Sequence, residues 1–209
     1  MNNTLHGSTN HRDCISFETG NTQCVFLSLS KMHRSVIIFF LLSTLTSVYS
    51  QRTVKVVLGD SLTKQCIRLK MTLTKDSVRA ELEGPKSQWL AIGFNSKRMQ
   101  RGVDVLVVPA WKDAAGSLDA VAYDGVLTGY APPMRDASQH WKVLQEQVVG
   151  EKRTVYLVRA LQTGDLEDYD FTVLSTSGGS LDIIWAMGSE KGNKTEYHGN
   201  QKGKRVLNF

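Results

Sequence analysis

Four side chains in this sequence stand where chemistry could be done: Ser61, Met99, His140 and His198. Ser61 closes the run Val56-Val57-Leu58-Gly59-Asp60-Ser61, an aliphatic stretch ending in turn formers. A serine hydroxyl attacks an acyl group only with a histidine base in hydrogen-bond reach and a third group orienting that histidine. His140 and His198 are the available bases, and Asp136 stands four residues before His140. Met99 offers a thioether between Arg98 and Gln100, a polar setting that suits a packing residue poorly and so favours a function. Met71 and Met187 lie in alternating segments and read as core filler, whereas Met134 follows two prolines and is a substitute ligand at most.

The strand-then-serine block resembles the GDSL hydrolases, which places the serine hydrolase on the page as a remote alternative. That family also needs a Gly-x-Asn-Asp block, a late Asp-x-x-His block and helices between parallel strands. This chain has neither block and no amphipathic helix of three turns. Gly59-Asp60-Ser61 is better read as a turn between strands, for which those residue types are favoured.

The chain has 209 residues, 41% hydrophobic and 22% charged, enough for one ordinary domain and unlike a disordered or fibrous chain. No apolar run reaches the roughly 20 residues of a spanning helix, which excludes a multi-pass membrane protein. The net charge of +5 is scattered, without a nucleic-acid motif. Met32-His33-Arg34, the apolar run from Ser35 and the exit Val48-Tyr49-Ser50 have the three parts of a secretory signal. Residues 1–31 are then a polar leader or upstream extension, with Met32 the alternative start. Residues 32–50 are the signal peptide and 51–209 the mature, secreted, extracellular domain. Cleavage removes Cys14 and Cys24, leaving Cys66 as a half-buried thiol or an intermolecular link. Asn193-Lys194-Thr195 is a glycosylation sequon with Asn193 as acceptor.

From Gln51 the dominant period is two. Thr53–Leu58, Ile67–Leu73 and Val78–Glu83 alternate as half-buried strands, with Gly84-Pro85 as a break. Trp89–Phe94, Val103–Ala110, Leu118–Tyr123, Val143–Val149, Thr154–Ala160, Asp168–Leu174 and Leu181–Met187 follow, with Val206–Phe209 as a closing strand. Gly129–Trp141 is the one long connection. The expected fold is all-β, an antiparallel β-sandwich of about ten strands, immunoglobulin-like in architecture but without that family's Cys-Trp-Cys pattern.

Trp89-Leu90-Ala91-Ile92-Gly93-Phe94, then Met99 and Val103-Asp104-Val105, then Trp185-Ala186-Met187-Gly188 and Tyr197-His198-Gly199 stand in a particular order. Together they resemble the DOMON domain, in its b-type cytochrome branch, over roughly Val54 to Arg205. The resemblance implies a haem b at one end of a β-sandwich, with Met99 and His198 as axial ligands of its iron. The haem would be non-covalent, since the chain has no Cys-x-x-Cys-His. Thioether and imidazole fill both axial positions and raise the reduction potential, which suits electron transfer.

The resulting expectation is a redox carrier without a catalytic centre of its own, served by a separate partner such as a membrane b-type cytochrome. The family also holds haem-free binders. The alternative is therefore a carbohydrate- or ligand-binding module using Trp111, Tyr130 or Trp141. If strand directions alternate, Trp89–Phe94 and Leu181–Met187 are six steps apart and run the same way, bringing the two ligand loops to one end. Lys97, Arg98, Arg101, Lys202, Lys204 and Arg205 flank the two positions, as a propionate-pairing rim or simply a solvated edge.

Overall fold

The computed structural model describes residues 51–63, 65–110, 121–191 and 194–209. The proposed leader and signal, Asn193 and Trp111 lie outside the described residues. Two antiparallel sheets carry the chain. The first has the order β1 (Arg52–Asp60), β2 (Gln65–Leu73), β3 (Ser77–Pro85), β9 (Lys152–Ala160), β8 (Lys142–Val149). The second runs β11 (Lys194–Thr195), β10 (Ser180–Lys191), β4 (Gln88–Phe94), β5 (Asp104–Val108), β6 (Tyr123–Val126), β7 (Met134–Arg135), and β12 (Lys202–Asn208) pairs with β10.

The alternation in β2 and β3 turns Ile67, Leu69, Met71, Ala80 and Leu82 inward against Leu90, Ile92, Leu106, Ile183 and Met187 of the other sheet. β4 and β5 do not alternate, because both of their faces are covered. Their inner face joins this core. Their outer face carries a second apolar cluster of Trp89, Ala91, Val103, Val105, Val107 and Leu127, with Met99 packed against it.

β9 brings Arg153, Val155, Leu157 and Arg159 inward, so the apolar centre of its row is closed at each end by a buried arginine. Arg153 donates to the carbonyls of Pro109 and Val121 and is paired with Glu146. Arg159 donates to Asp104 Oδ2 at 2.9 Å, Asp168 Oδ1 at 3.2 Å and the Tyr169 carbonyl at 2.8 Å. Its guanidinium lies 5.0 Å from the ring centres of both Trp141 and Phe171. Burial and then the neighbouring Asp104 carboxylate push Asp124, in the same cluster, up to about 8. Burial and then Glu167 push Asp136 up to about 6.

Several expectations need correction. Asp168–Leu174 is not a strand: it is a loop leading into the short helix α1 (Thr172–Ser177), because Asp168 and Tyr169 are held by Arg159 rather than by a neighbouring strand. Of the strand expected over Leu118–Tyr123, residues 118–120 lie outside the described residues, and β6 runs over Tyr123–Val126. Trp141 is no exposed binding residue: it is 5% exposed and stacked on Phe94. Cys66 is buried rather than half-buried. Ser61 is exposed in a turn whose Asp60 side chain accepts the Leu62 N–H at 2.9 Å, and every strand pairing described is antiparallel. A GDSL-type nucleophile has no α/β context here.

Candidate functional site

A cavity of about 700 Å³ opens on the outer face of the second sheet. Its floor follows from the register of β4 against β10. Trp89 faces Gly188, Ala91 faces Ala186, and Gly93 faces Ile184. Cross-strand pairs point to the same side, so each row of the floor contains at least one small residue. A Cβ on Gly188 would lie 2.9 Å from Trp89 Nε1, so only glycine there lets the indole lie across β10. The indole N–H donates to the Glu196 carbonyl at 3.2 Å, which fixes the Trp89 plane as one wall.

Met99 and His198 both line this cavity. They do not arrive as expected. β10 is antiparallel to β4, so the two strands run in opposite directions. β4 and β10 are still six strands apart among the described elements, with β7 in the count in place of Asp168–Leu174, so it is the strict alternation of strand direction that fails. The two loops therefore spring from opposite ends of β4 and fold back over one sheet face. The cavity that both residues line lies on this outer face.

The Met99 loop begins at Asn95, whose φ of 53° turns the chain sharply out of β4. Asparagine tolerates this left-handed conformation better than most residues. Ser96 is buried. Its N–H donates to the Asp182 carbonyl at 3.2 Å and its hydroxyl to the Arg98 carbonyl at 2.7 Å. Gly102 N–H donates to the Leu127 carbonyl at 2.8 Å, closing the loop. Met99 is thus half-buried against the outer apolar cluster rather than free in a polar loop.

The His198 segment is a tight return from β11. Glu196 N–H donates to the Ser189 carbonyl, and Gln201 N–H donates to the His198 carbonyl at 2.9 Å. Gly199 sits at φ 56°, where a side chain would be strained, which accounts for glycine after the histidine. His198 Nδ1 lies 3.0 Å from the Gly199 carbonyl oxygen. A carbonyl can only accept, so Nδ1 is the donor in this contact, and Nε2 is the ring nitrogen it leaves over. The ring lies edge-on to Trp89, centroids 6.4 Å apart.

Tyr130, Ala131, Pro132 and Pro133 form a further wall, and Lys97, Arg98, Lys202 and Lys204 reach the lining. Lys97 is shared with Asp182 at 3.5 Å, and Lys202 donates to the Tyr197 hydroxyl at 3.2 Å. Arg101 and Arg205 are exposed and outside the lining. Met134 is exposed on β7 and also outside it, so it is no substitute for Met99. The Pro132-Pro133 wall and the alanine pair of the floor were missed in the sequence. The order of the Trp-x-Ala-x-Gly and Trp-Ala-x-Gly strands carried the signal for the pair, but their mutual register did not follow from it.

The residues that build the floor lie within a segment, 63–188, that matches the DOMON domain family. The chain belongs to the DOMON domain family. The match includes Met99 and ends before His198. No curated protein matches the chain.

Among solved structures, this DOMON chain is similar to the cytochrome domain of Myriococcum thermophilum cellobiose dehydrogenase. The identity is 13% over 74% of this chain and 88% of that one, with a TM-score of 0.47. It is also similar to the cytochrome b domain of pyranose dehydrogenase from Coprinopsis cinerea. There the identity is 15% over 73% of this chain and 86% of that one, with a TM-score of 0.45. Among the described residues, no helix is long and apolar enough to cross a membrane.

Proposed function

We propose that this DOMON domain binds haem b non-covalently and transfers single electrons, with Met99 and His198 as the axial ligands. The observation that carries the reading is the convergence of these two side chains, from loops at opposite ends of β4, on one cavity. The residues present suit the group. The floor is apolar, as a macrocycle needs, the donor set is one thioether and one imidazole, and the rim carries cations for two propionates. Cys66 is buried in β2 opposite Gly59, not in the cavity lining, which fits non-covalent binding. Bound there, the iron would supply a reversible one-electron couple.

The chain's own residues have definite parts in this reading. The Gly199 carbonyl holds the His198 tautomer that presents Nε2 and raises its basicity. Trp89, Ala91 and Val105 keep water from the floor, and Lys97, Arg98, Lys202 and Lys204 set a positive rim that steers an acidic redox partner. That partner is a separate protein, such as a membrane b-type cytochrome. The setting is extracellular, with residues 32–50 removed on export and Asn193 glycosylated.

A second reading rests on Tyr130 and Tyr197, which are 89% and 77% exposed at the same cavity. Aromatic faces at an apolar mouth suit a carbohydrate ring, and the domain would then work without haem. Haem added to the full chain, with the excess removed, separates the two. Stoichiometric retention with sharp low-spin bands on reduction supports the cytochrome. A folded, β-rich protein that retains none overturns it and leaves the sugar-binding module, which a glycan screen then examines.

A further inference from the structure

A second group of side chains lies away from the cavity, between the sheets, and the electron-transfer reading makes no use of it. Asp104 begins β5, Asp124 lies in β6, Asp168 follows β9 and His140 precedes β8. Gln139 places the last of these. Its side chain accepts the Asp124 N–H at 2.8 Å and donates to the Asp124 and Asp136 carbonyls at 2.9 Å. The segment that bears His140 is thereby fastened along β6.

Arg159 is the internal cation of this group, but it does not satisfy it. Its hydrogen bonds go to Asp104, Asp168 and the Tyr169 carbonyl, while Asp124 Oδ2 stands 3.7 Å away, beyond hydrogen-bond reach. Asp124 is fully buried, and among the described residues neither of its oxygens accepts a hydrogen bond. Asp168 Oδ2 and His140 Nδ1 are buried facing each other at 2.8 Å, with no other partner for either atom among the described residues. Buried carboxylate oxygens in this condition cost several kcal/mol, roughly, unless a further cation or proton meets them. Asp104, Asp124 and Asp168 stand around one guanidinium, which hydrogen-bonds to Asp104 and Asp168 and leaves Asp124 to a further cation or a proton.

We propose that Asp124, Asp168 and His140 form a binding site for a divalent cation of the zinc class. One ligand atom from each lies within 4.8 Å of the others. Two carboxylate oxygens with an imidazole nitrogen suit zinc, which takes three protein ligands and a water. Calcium and magnesium prefer all-oxygen sets. Asp168 is bridged to Arg159 through its other oxygen, so the guanidinium orients this ligand from behind. His140 is 28% exposed along its side chain, which opens the site to solvent on that side. The haem ligands are on other segments, so neither reading depends on the other.

The full chain, stripped with EDTA, is titrated with ZnCl2 and separately with CaCl2 by calorimetry, and its thermal unfolding is followed with and without each metal. One zinc per chain is expected, with a higher midpoint of unfolding. His140→Ala and Asp124→Asn should each weaken zinc at least tenfold, while His198→Ala keeps both stoichiometry and affinity. Absence of saturable zinc binding by the wild type overturns the site. So does zinc binding that both variants leave unchanged, or a preference for calcium that His140→Ala does not alter. If Asp124→Asn does not fold, His140→Ala, at a partly exposed side chain, decides alone.

Discussion

Ala91 of β4 lies directly opposite Ala186 of β10, and both line the cavity floor. Trp89 and Gly188 stand on one side of it, Gly93 and Ile184 on the other. The two alanines are the smallest side chains that keep strand geometry without glycine's backbone freedom. They leave the space between the Met99 and His198 loops open while the opposite faces of both strands stay packed in the core.

Ala91→Leu should therefore close the cavity from below. The expected result is a folded chain of unchanged β content that no longer takes up haem, read by absorption after haem addition. Ile92→Ala is its counterpart on the inner face. That change should cost about 2–5 kcal/mol of stability by chemical denaturation and leave the floor intact. Equal haem uptake by Ala91→Leu and the wild type would show that the ligand sits elsewhere.

The axial positions can be told apart by spectra. His198→Ala should abolish the low-spin species. Met99→Ala should leave the iron five-coordinate or water-bound, and Met99→His should keep it low-spin with a lower reduction potential. Three spectra identical to the wild type would remove both residues from the ligand set.

Arg159 carries most of the polar order at its end of the sandwich. Arg159→Ala strands Asp104 and Asp168 in the core, and the expected loss is about 3–5 kcal/mol in urea unfolding. Arg159→Met should cost less than Arg159→Ala, since it refills the space between Trp141 and Phe171. If Arg159→Ala unfolds at the wild-type midpoint, the cluster is not structural.

Surface pairs should behave differently. Glu83 meets Arg68 at 2.5 Å and Lys152 at 2.7 Å across three strands, and the Lys152 bond first, then Arg68, holds its carboxyl below the usual glutamate value. A depressed folded value means stability present at neutral pH and lost as pH falls through the ordinary glutamate range and below it. Glu83→Gln should cost about 1 kcal/mol or less at pH 7, with the difference fading in acid and in high salt. Unfolding midpoints at pH 7 and pH 3 check this.

The two-residue period of Ile67–Leu73 and Val78–Glu83, the turn formers between segments and the ordered Trp, Gly and His motifs were enough for an antiparallel β-sandwich of the DOMON family. These are local signals. Alternation records one buried face per strand, and a Tyr-His-Gly turn needs its glycine whatever lies nearby. Asp168–Leu174 shows their limit, since its alternation reads as a strand while its backbone is held by Arg159, a partner that no local pattern reveals. Only the tertiary structure decided that β10 runs against β4, that Ala91 meets Ala186, and that Asp104, Asp124, Asp168 and His140 gather around Arg159. Each depends on pairing or packing between segments far apart in the chain. Such contacts are set by global burial and register, not by the neighbours of any one residue.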